Sequence, residues 1–246
     1  MNTQSKFENI TLINGDCMDY MQTLPDNAYD LAIVDPPYGV GSVTYMPHKR
    51  ESTSGGFIDH FEIVVATLDL NQRKKTKVDV CNSHNTKKTM NHFGDENVSP
   101  SPDYFRELFR VSKHQIIWGG NYFLLPPSRG YVVWKKRIPE NFSMAMCEFA
   151  WLSFNTNAKV VEINQMSTKT DVRFHPTQKP IDLYKWLLKN YANVGDKILD
   201  THLGSGSSAI ACHDYGFEMT GIEIDKDYFN AAKERLIRHQ QQQKLF

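Results

Sequence analysis

The chain has 246 residues, with 28 Lys and Arg balanced by 28 Asp and Glu; that length suits one large α/β domain, or one domain with a small appendage, and the net charge alone points to no partner. The four cysteines, Cys17, Cys81, Cys147 and Cys212, are far apart and form no Cys-x-x-Cys pair, so neither structural zinc nor a disulfide framework is expected, and no metal site is predicted. No apolar run reaches membrane-spanning length, and MNTQSKFENI lacks a signal-peptide core, so a soluble cytoplasmic protein is expected.

In chain order, TLINGD (11–16) reads as a short strand, and CMDYMQTLP as a brief helix stopped near Pro25. LAIVD (31–35) is a continuous apolar run of strand length, which suits a strand buried on both faces. Residues 42–100 are polar and weakly periodic. Within them, 71–88 carries Arg73, Lys74, Lys75, Lys77, Lys87 and Lys88 against one Asp. SPDYFRELFRVS (101–112) has helical spacing and opens with a Ser N-cap followed by an N1 proline. QIIWGG (115–120), YVVWKK (131–136) and EFAWLSF (148–154) are strand candidates, and 155–174 is irregular. KPIDLYKWLLKNYA (179–192) is an amphipathic helix. A strand (197–203), a helix ended by glycine (207–216), a strand (217–224) and a helix N-capped by Asp225 (225–243) complete the chain. Strands alternating with helices predict a mostly parallel sheet covered on both faces.

DTHLGSGSSA (200–209) joins a strand to a helix. Gly204 and Gly206 remove side chains where backbone must approach a ligand, with Ser205 between them. The next strand delivers Glu223, whose carboxylate can accept two hydrogen bonds from vicinal ribose hydroxyls. This is the physics of adenosine binding on a doubly wound sheet. Gly204, Gly206, Ala209 and Glu223 also fit a looser dinucleotide pattern, so an NAD-binding domain is a rival. Chain order argues against it, because that fingerprint usually opens its domain and here it closes the chain.

Asp35 ends its strand, where a doubly wound sheet presents its ligand crevice. Pro36 and Pro37 fix φ and donate no N–H, so their carbonyls are rigidly aimed. Asp35 and the Pro36 carbonyl make two fixed acceptors, a match for the two hydrogens of a primary amine, and Tyr38 adds a flat face beside them.

DPPY resembles motif IV of the DNA amino-methyltransferases, which methylate adenine N6 or cytosine N4 from S-adenosylmethionine. DTHLGSGS resembles their motif I, with Thr201 and His202 where Pro and Phe are more usual. HPTQKP (175–180) is similar to motif X, and NGDCMDYM to the segment that contacts the cofactor adenine. IIWGGNYF, YVVWKK and CEFAWLSF look like connecting segments of short phage and prophage members. The order DPPY, HPTQKP, GSG is that of the beta group, a circular permutation of the Rossmann-like methyltransferase fold.

The resemblance implies a single catalytic domain over 1–246, with 42–100 and 155–174 as inserted target-recognition elements. It implies a flipped base held at Asp35, Pro36, Pro37 and Tyr38, and direct in-line methyl transfer. Asp16 and Cys17 would contact the cofactor adenine and Glu223 the ribose, with Gly204, Ser205 and Gly206 near the methionine moiety. Thr177 and Lys179 would meet the methionine carboxylate; Asp35 and His175 would border the cofactor, and Asp200 would order its loop or face the ammonium. Asp16 also reads as a helix N-cap, and His175 as structural rather than catalytic; His202 receives no role. The basic tract would neutralise phosphates of double-stranded DNA, or else be a solvated loop. Asp before Pro-Pro-Tyr leans toward adenine in this family. Cytosine N4 methylation, protein glutamine methylation (where those enzymes carry Asn at position 35) and an inactive cofactor- and DNA-binding module are the rivals. Beta-group enzymes are often dimers, so a homodimer is one expected state, and a restriction partner and an orphan role stay equally open. Asp35→Ala is expected to abolish activity with folding retained, because Asp35 reads as a site residue with little packing role.

Overall fold

The computed structural model describes residues 3–39, 99–139, 145–165 and 173–243. Contacts divide the chain into one unit of residues 1–41 and 95–246 and a second of 42–94. The expectations for 42–98, including Arg73, Lys74, Lys75, Lys77, Lys87 and Lys88, lie outside the described residues.

The strands are β1 (Thr3–Phe7), β2 (Ile10–Asn14), β3 (Tyr29–Val34), β4 (Ser112–Trp118), β5 (Tyr131–Lys135), β6 (Cys147–Leu152), β7 (Lys159–Glu162), β8 (Lys197–Asp200) and β9 (Glu218–Glu223). The helices are α1 (Cys17–Gln22), α2 (Pro102–Val111), α3 (Ile181–Tyr191), α4 (Ser207–Tyr215) and α5 (Lys226–Gln243). Among the described residues the strands form one sheet, in the order β1-β2-β9-β8-β3-β4-β6-β5-β7. From β2 to β4 every neighbouring pair is parallel. β6 runs against both β4 and β5, and β1 against β2. The mostly parallel sheet is therefore as expected, and the permutation is visible in it. β3 lies beside β8, with Leu31 opposite Ile198 and Ala32 opposite Leu199, although most of the chain separates them in sequence.

Alternation along β3 explains its unbroken apolar run. Leu31 and Ile33 pack into the core on the face of α3, α4 and α5. Ala32 and Val34 pack into the core of the opposite face, with α1 and α2. Successive side chains of a strand point to opposite faces, so a strand covered on both must be apolar throughout. α2 starts where expected: Ser101 Oγ accepts from the Tyr104 N–H, Pro102 stands in the first turn, and Tyr104, Phe105, Leu108 and Val111 are buried. Arg110 on α2 donates to the Met21 and Leu24 carbonyls (2.8 Å each), closing the last turn of α1.

Three boundaries differ from the sequence reading. The stretch 155–174 is not irregular throughout: β7 lies within it and pairs in parallel with β5. Only Val161 of its four residues is buried, so its apolar signal is one side chain long. β1, edging the sheet, has the burial pattern of a half-exposed strand and carries mostly polar residues. α3 begins at Ile181 rather than residue 179, because Pro180 stays extended (ψ 144°) as its N-cap. Among the described residues no helix is long and apolar enough to cross a membrane.

Candidate active site

Five parallel strands carry their carboxyl ends to one edge of the sheet. In spatial order that edge presents Gly15-Asp16 after β2, Glu223 at the end of β9, Asp200 at the end of β8, Asp35 after β3 and Gly119 after β4. Because β6 is antiparallel to β4, its first residues, Cys147 and Glu148, reach the same edge. So do Lys135 and Lys136 at the end of β5, since Lys135 pairs with Cys147. Two groups of predicted residues thus share one side of the molecule.

The first group forms a cleft lined by Gly15, Asp16, Cys17, Thr201, His202, Ile222, Glu223 and Ile224. Glu223 joins its two walls: Oε2 accepts the Gly204 N–H (2.8 Å) and Oε1 the Asp225 N–H (3.0 Å). Asp16 does cap α1, accepting the Met18 N–H (2.7 Å), and also lines the cleft. Cys17 is held as a thiol, pushed up to about 12 by burial and the Asp16 charge. Gly206 stands in the left-handed region (φ 73°) at the start of α4. A Cβ there would also come within 3.1 Å of Ala232 on α5. Ser205 is buried, and its carbonyl accepts from the buried Arg235 (2.7 Å).

Behind the cleft, Asp200 accepts from the Ser208 hydroxyl (2.6 Å) and the His202 N–H (3.0 Å). Burial raises its carboxyl to about 7 in spite of those bonds, and the Asp35 and Glu223 charges add to the rise. Tyr104 OH and Thr201 Oγ1 lie 2.7 Å apart, and Thr201 Oγ1 in turn 2.9 Å from His202 Nδ1. Burial depresses His202 to about 4, so it presents a neutral imidazole to the cleft. His175 packs edge-on against Tyr228 (centroids 4.4 Å apart) and is likewise depressed to about 4 by burial. Thr177 is exposed beside it, its Oγ1 3.2 Å from His175 Nδ1.

The second group centres on Asp35. Tyr38 OH donates to Asp35 Oδ1 (2.7 Å), and Lys179 Nζ donates to Oδ2. Lys179 also lies 3.1 Å from Glu148 Oε2, and Lys136 2.5 Å from Glu148 Oε1. Four alternating charges therefore line the edge: Asp35, Lys179, Glu148, Lys136. The side chains of Lys179 and Lys136 are 3% and 6% exposed. Burial works against the Lys179 charge, but Asp35 and then Glu148 outweigh it and hold the ammonium above the usual lysine range. Burial raises Glu148, yet Lys179 and Lys136 bring it below the usual glutamate range. Asp35 is thus tied into a largely buried ion-pair cluster, where the sequence reading gave it little packing role.

Tyr38 stacks on Tyr122 (centroids 4.9 Å, planes 19° apart) and meets Phe123 edge-on at 6.1 Å. Gly119 makes this possible: it sits at φ 67°, and a Cβ on it would come within 2.2 Å of the Tyr38 ring. Pro36 is buried and Pro37 half-buried.

Glu148, Lys136, Tyr104 and Tyr122 were missed by the sequence reading. Glu148 left the clearest signal, a carboxylate opening an otherwise apolar strand, CEFAWL.

A family model described as DNA methylase, covering N6 and N4 methylases, matches residues 69–234. The Type II methyltransferase M2.MboI of Moraxella bovis is 23% identical over 261 residues, covering 94% of this chain and 89% of its own. The PvuII DNA methyltransferase (cytosine-N4-specific) shares the fold, with a TM-score of 0.53 at 10% identity over 96% of this chain and 95% of its own. The solved M1.HpyAVI–SAM complex is 19% identical, with a TM-score of 0.46 over 92% of this chain and 99% of its own.

Proposed function

The chain belongs to the family of N6/N4 DNA methylases, and from that premise we propose that it moves a methyl group from S-adenosylmethionine to adenine N6 in double-stranded DNA at a specific sequence. The observation that carries this reading is the shared sheet edge, where the Asp35–Tyr38 corner and the Gly204/Glu223 cleft flank Asp200.

The cleft would hold the cofactor adenosine, with Asp16, Cys17 and His202 against its ring. Glu223, at the tip of β9, would take the ribose hydroxyls. Gly204, Ser205 and Gly206 would face the methionine chain, Thr177 would meet its carboxylate and Asp200 would stand toward its ammonium; Lys179, expected at that carboxylate, is instead buried between Asp35 and Glu148. His175 braces the glycine loop, where a Cβ on Gly204 would touch its ring.

The target base must leave the duplex, at a cost of a few kcal/mol. Stacking on Tyr38 returns roughly 1–3 kcal/mol, once Tyr122 gives up that face. An exocyclic amine is a weak nucleophile because its lone pair is delocalised into the ring. Asp35 and the Pro36 carbonyl accept its two hydrogens and localise the pair toward the methyl group. The N–C bond forms as the C–S bond breaks, and the electron pair of that bond stays on sulfur as a neutral thioether. The methylated amine then sheds one proton to water. Holding the two reactants in line is worth about 7–11 kcal/mol. The similarity to a Type II methyltransferase supports a sequence-specific modification enzyme, and Asp at position 35 supports adenine over cytosine.

The test is incubation of purified protein with unmethylated genomic DNA and S-adenosylmethionine, followed by nucleoside mass spectrometry. N6-methyladenine is the expected product. N4-methylcytosine would overturn the choice of base, and the absence of both would overturn the transferase reading.

A further inference from the structure

The methyl-transfer reading leaves a conflict at Asp35. Both its oxygens are engaged: Oδ1 accepts from Tyr38 OH and Oδ2 from Lys179. Each oxygen keeps a second lone pair, but these two partners fix the plane of the carboxylate, and turning a lone pair toward the target amine loosens one of the two bonds. Lys179 is the harder partner to release, because its side chain is 3% exposed and no water replaces a lost carboxylate. An unpaired buried cation is strongly unfavourable.

Glu148 resolves this. It enters from β6, a different strand from the Asp35 corner, and its Oε2 lies 3.1 Å from Lys179 Nζ. That oxygen is shielded from solvent and, among the described residues, makes no aligned hydrogen bond. It is an acceptor in contact with the ammonium but not yet fully used by it. Its other oxygen is held by Lys136 at 2.5 Å, which fixes the carboxylate and balances its charge. None of the cleft-lining residues belongs to this chain of charges.

Resting on the methyl-transfer reading, we infer that Glu148 is a positioning residue: it receives the Lys179 ammonium as Asp35 turns toward the target amine, with Lys136 as its fixed counter-charge. Glu148 touches neither substrate nor cofactor and acts through Lys179. The four groups alternate in sign and sum to zero, so the hydrogen bond passes from one carboxylate to the other with no net charge left buried. Burial and the neighbouring charges agree with this, keeping Lys179 protonated and Glu148 below its usual range.

The test uses Glu148→Gln, which keeps shape and removes the charge. Steady-state methylation is measured with unmethylated plasmid DNA and labelled S-adenosylmethionine. Cofactor affinity is measured by calorimetry, and thermal unfolding is followed for Glu148→Gln, Lys179→Met and the double variant. The expected result is a loss in kcat of about ten- to a hundredfold, the scale of a hydrogen bond to a charged group. KM for DNA and cofactor affinity stay within about twofold. The Tm losses of the two single variants should also fail to add in the double variant, as for groups in contact. An unchanged kcat, a loss of kcat and cofactor affinity together, or additive Tm losses would overturn the inference while leaving methyl transfer by the wild type intact. A wild type that methylates no base defeats the transferase reading, and this inference with it.

Discussion

Replacing Asp35 with alanine removes the acceptor of the proposed chemistry and, separately, unbalances the buried charges. Lys179, with its side chain 3% exposed, loses the carboxylate its Nζ touches and keeps Glu148 at 3.1 Å as its counter-charge. The cluster then holds two lysines against one glutamate. Breaking a buried pair by removing one partner costs about 3–5 kcal/mol. Asp35 is 13% exposed on its side chain and Glu148 retains part of the attraction, so the lower end, about 3 kcal/mol, applies. At about 2–4 °C per kcal/mol for a chain of this size, the Tm should fall by about 6–12 °C. Removing the stranded cation as well should restore most of it: Asp35→Ala/Lys179→Met leaves only the Lys136–Glu148 pair, which is neutral overall. Differential scanning calorimetry of the wild type and the two variants measures both effects. If Asp35→Ala melts within about 1 °C of the wild type, or the double variant melts below it, the charge accounting is wrong. For activity, Asp35→Asn is the cleaner probe, since it keeps an acceptor for Lys179 while removing the carboxylate.

Other parts of the site give separate expectations. Glu223→Gln should weaken S-adenosylmethionine binding about tenfold, since an amide can replace only one of two carboxylate acceptors, and calorimetry measures it; unchanged affinity would remove Glu223 from the cofactor site. Asp200, raised to about 7 by burial, binds in the folded state a proton that the unfolded chain releases near pH 4. Its contribution to stability therefore falls as pH rises from about 4 to 7, by at most about 4 kcal/mol, so Asp200→Asn should raise the Tm at pH 8 and not at pH 4, as thermal melts across that range will show. Tyr122→Ala should free the stacking face of Tyr38; an aromatic pair is worth about 0.5–1.5 kcal/mol, so the extruded base should bind up to about tenfold more tightly. Fluorescence of 2-aminopurine in the methylated sequence reports it, and weaker binding would mean that Tyr122 clamps the base rather than standing in its place.

The fold was legible in the sequence wherever burial was complete. β3 is covered on both sides, so LAIVD could be nothing but apolar, and the Asp35 at its tip stood out against that background. The caps at Ser101 and Asp225 were readable because a helix start uses the side chain of a single residue, two or three positions from its partners. β1 and β7 were not readable, because an edge strand is ordered by main-chain pairing more than by its own side chains. The candidate site divides in the same way. Asp35, Glu223 and Gly206 announce themselves within a few residues of chain, through a proline corner, a strand tip and a glycine turn. Glu148, Lys136 and Tyr122 do not, since each matters only through a residue brought beside it by the sheet. Glu148 meets Lys179 because β6 runs against β4 and so starts at the edge where the other strands end. No spacing in the sequence encodes that antiparallel strand. The permuted order has a related consequence: the proposed cofactor cleft is built from β2 near the start of the chain and β8 and β9 near its end, and α5 braces the adjoining glycine loop through Arg235, which donates to the Ser205 carbonyl (2.7 Å). The glycine loop is therefore braced by the last helix of the chain. Cofactor binding should stabilise the packing of α5 more than that of α2, a difference that hydrogen exchange of the two helices, with and without S-adenosylmethionine, would resolve.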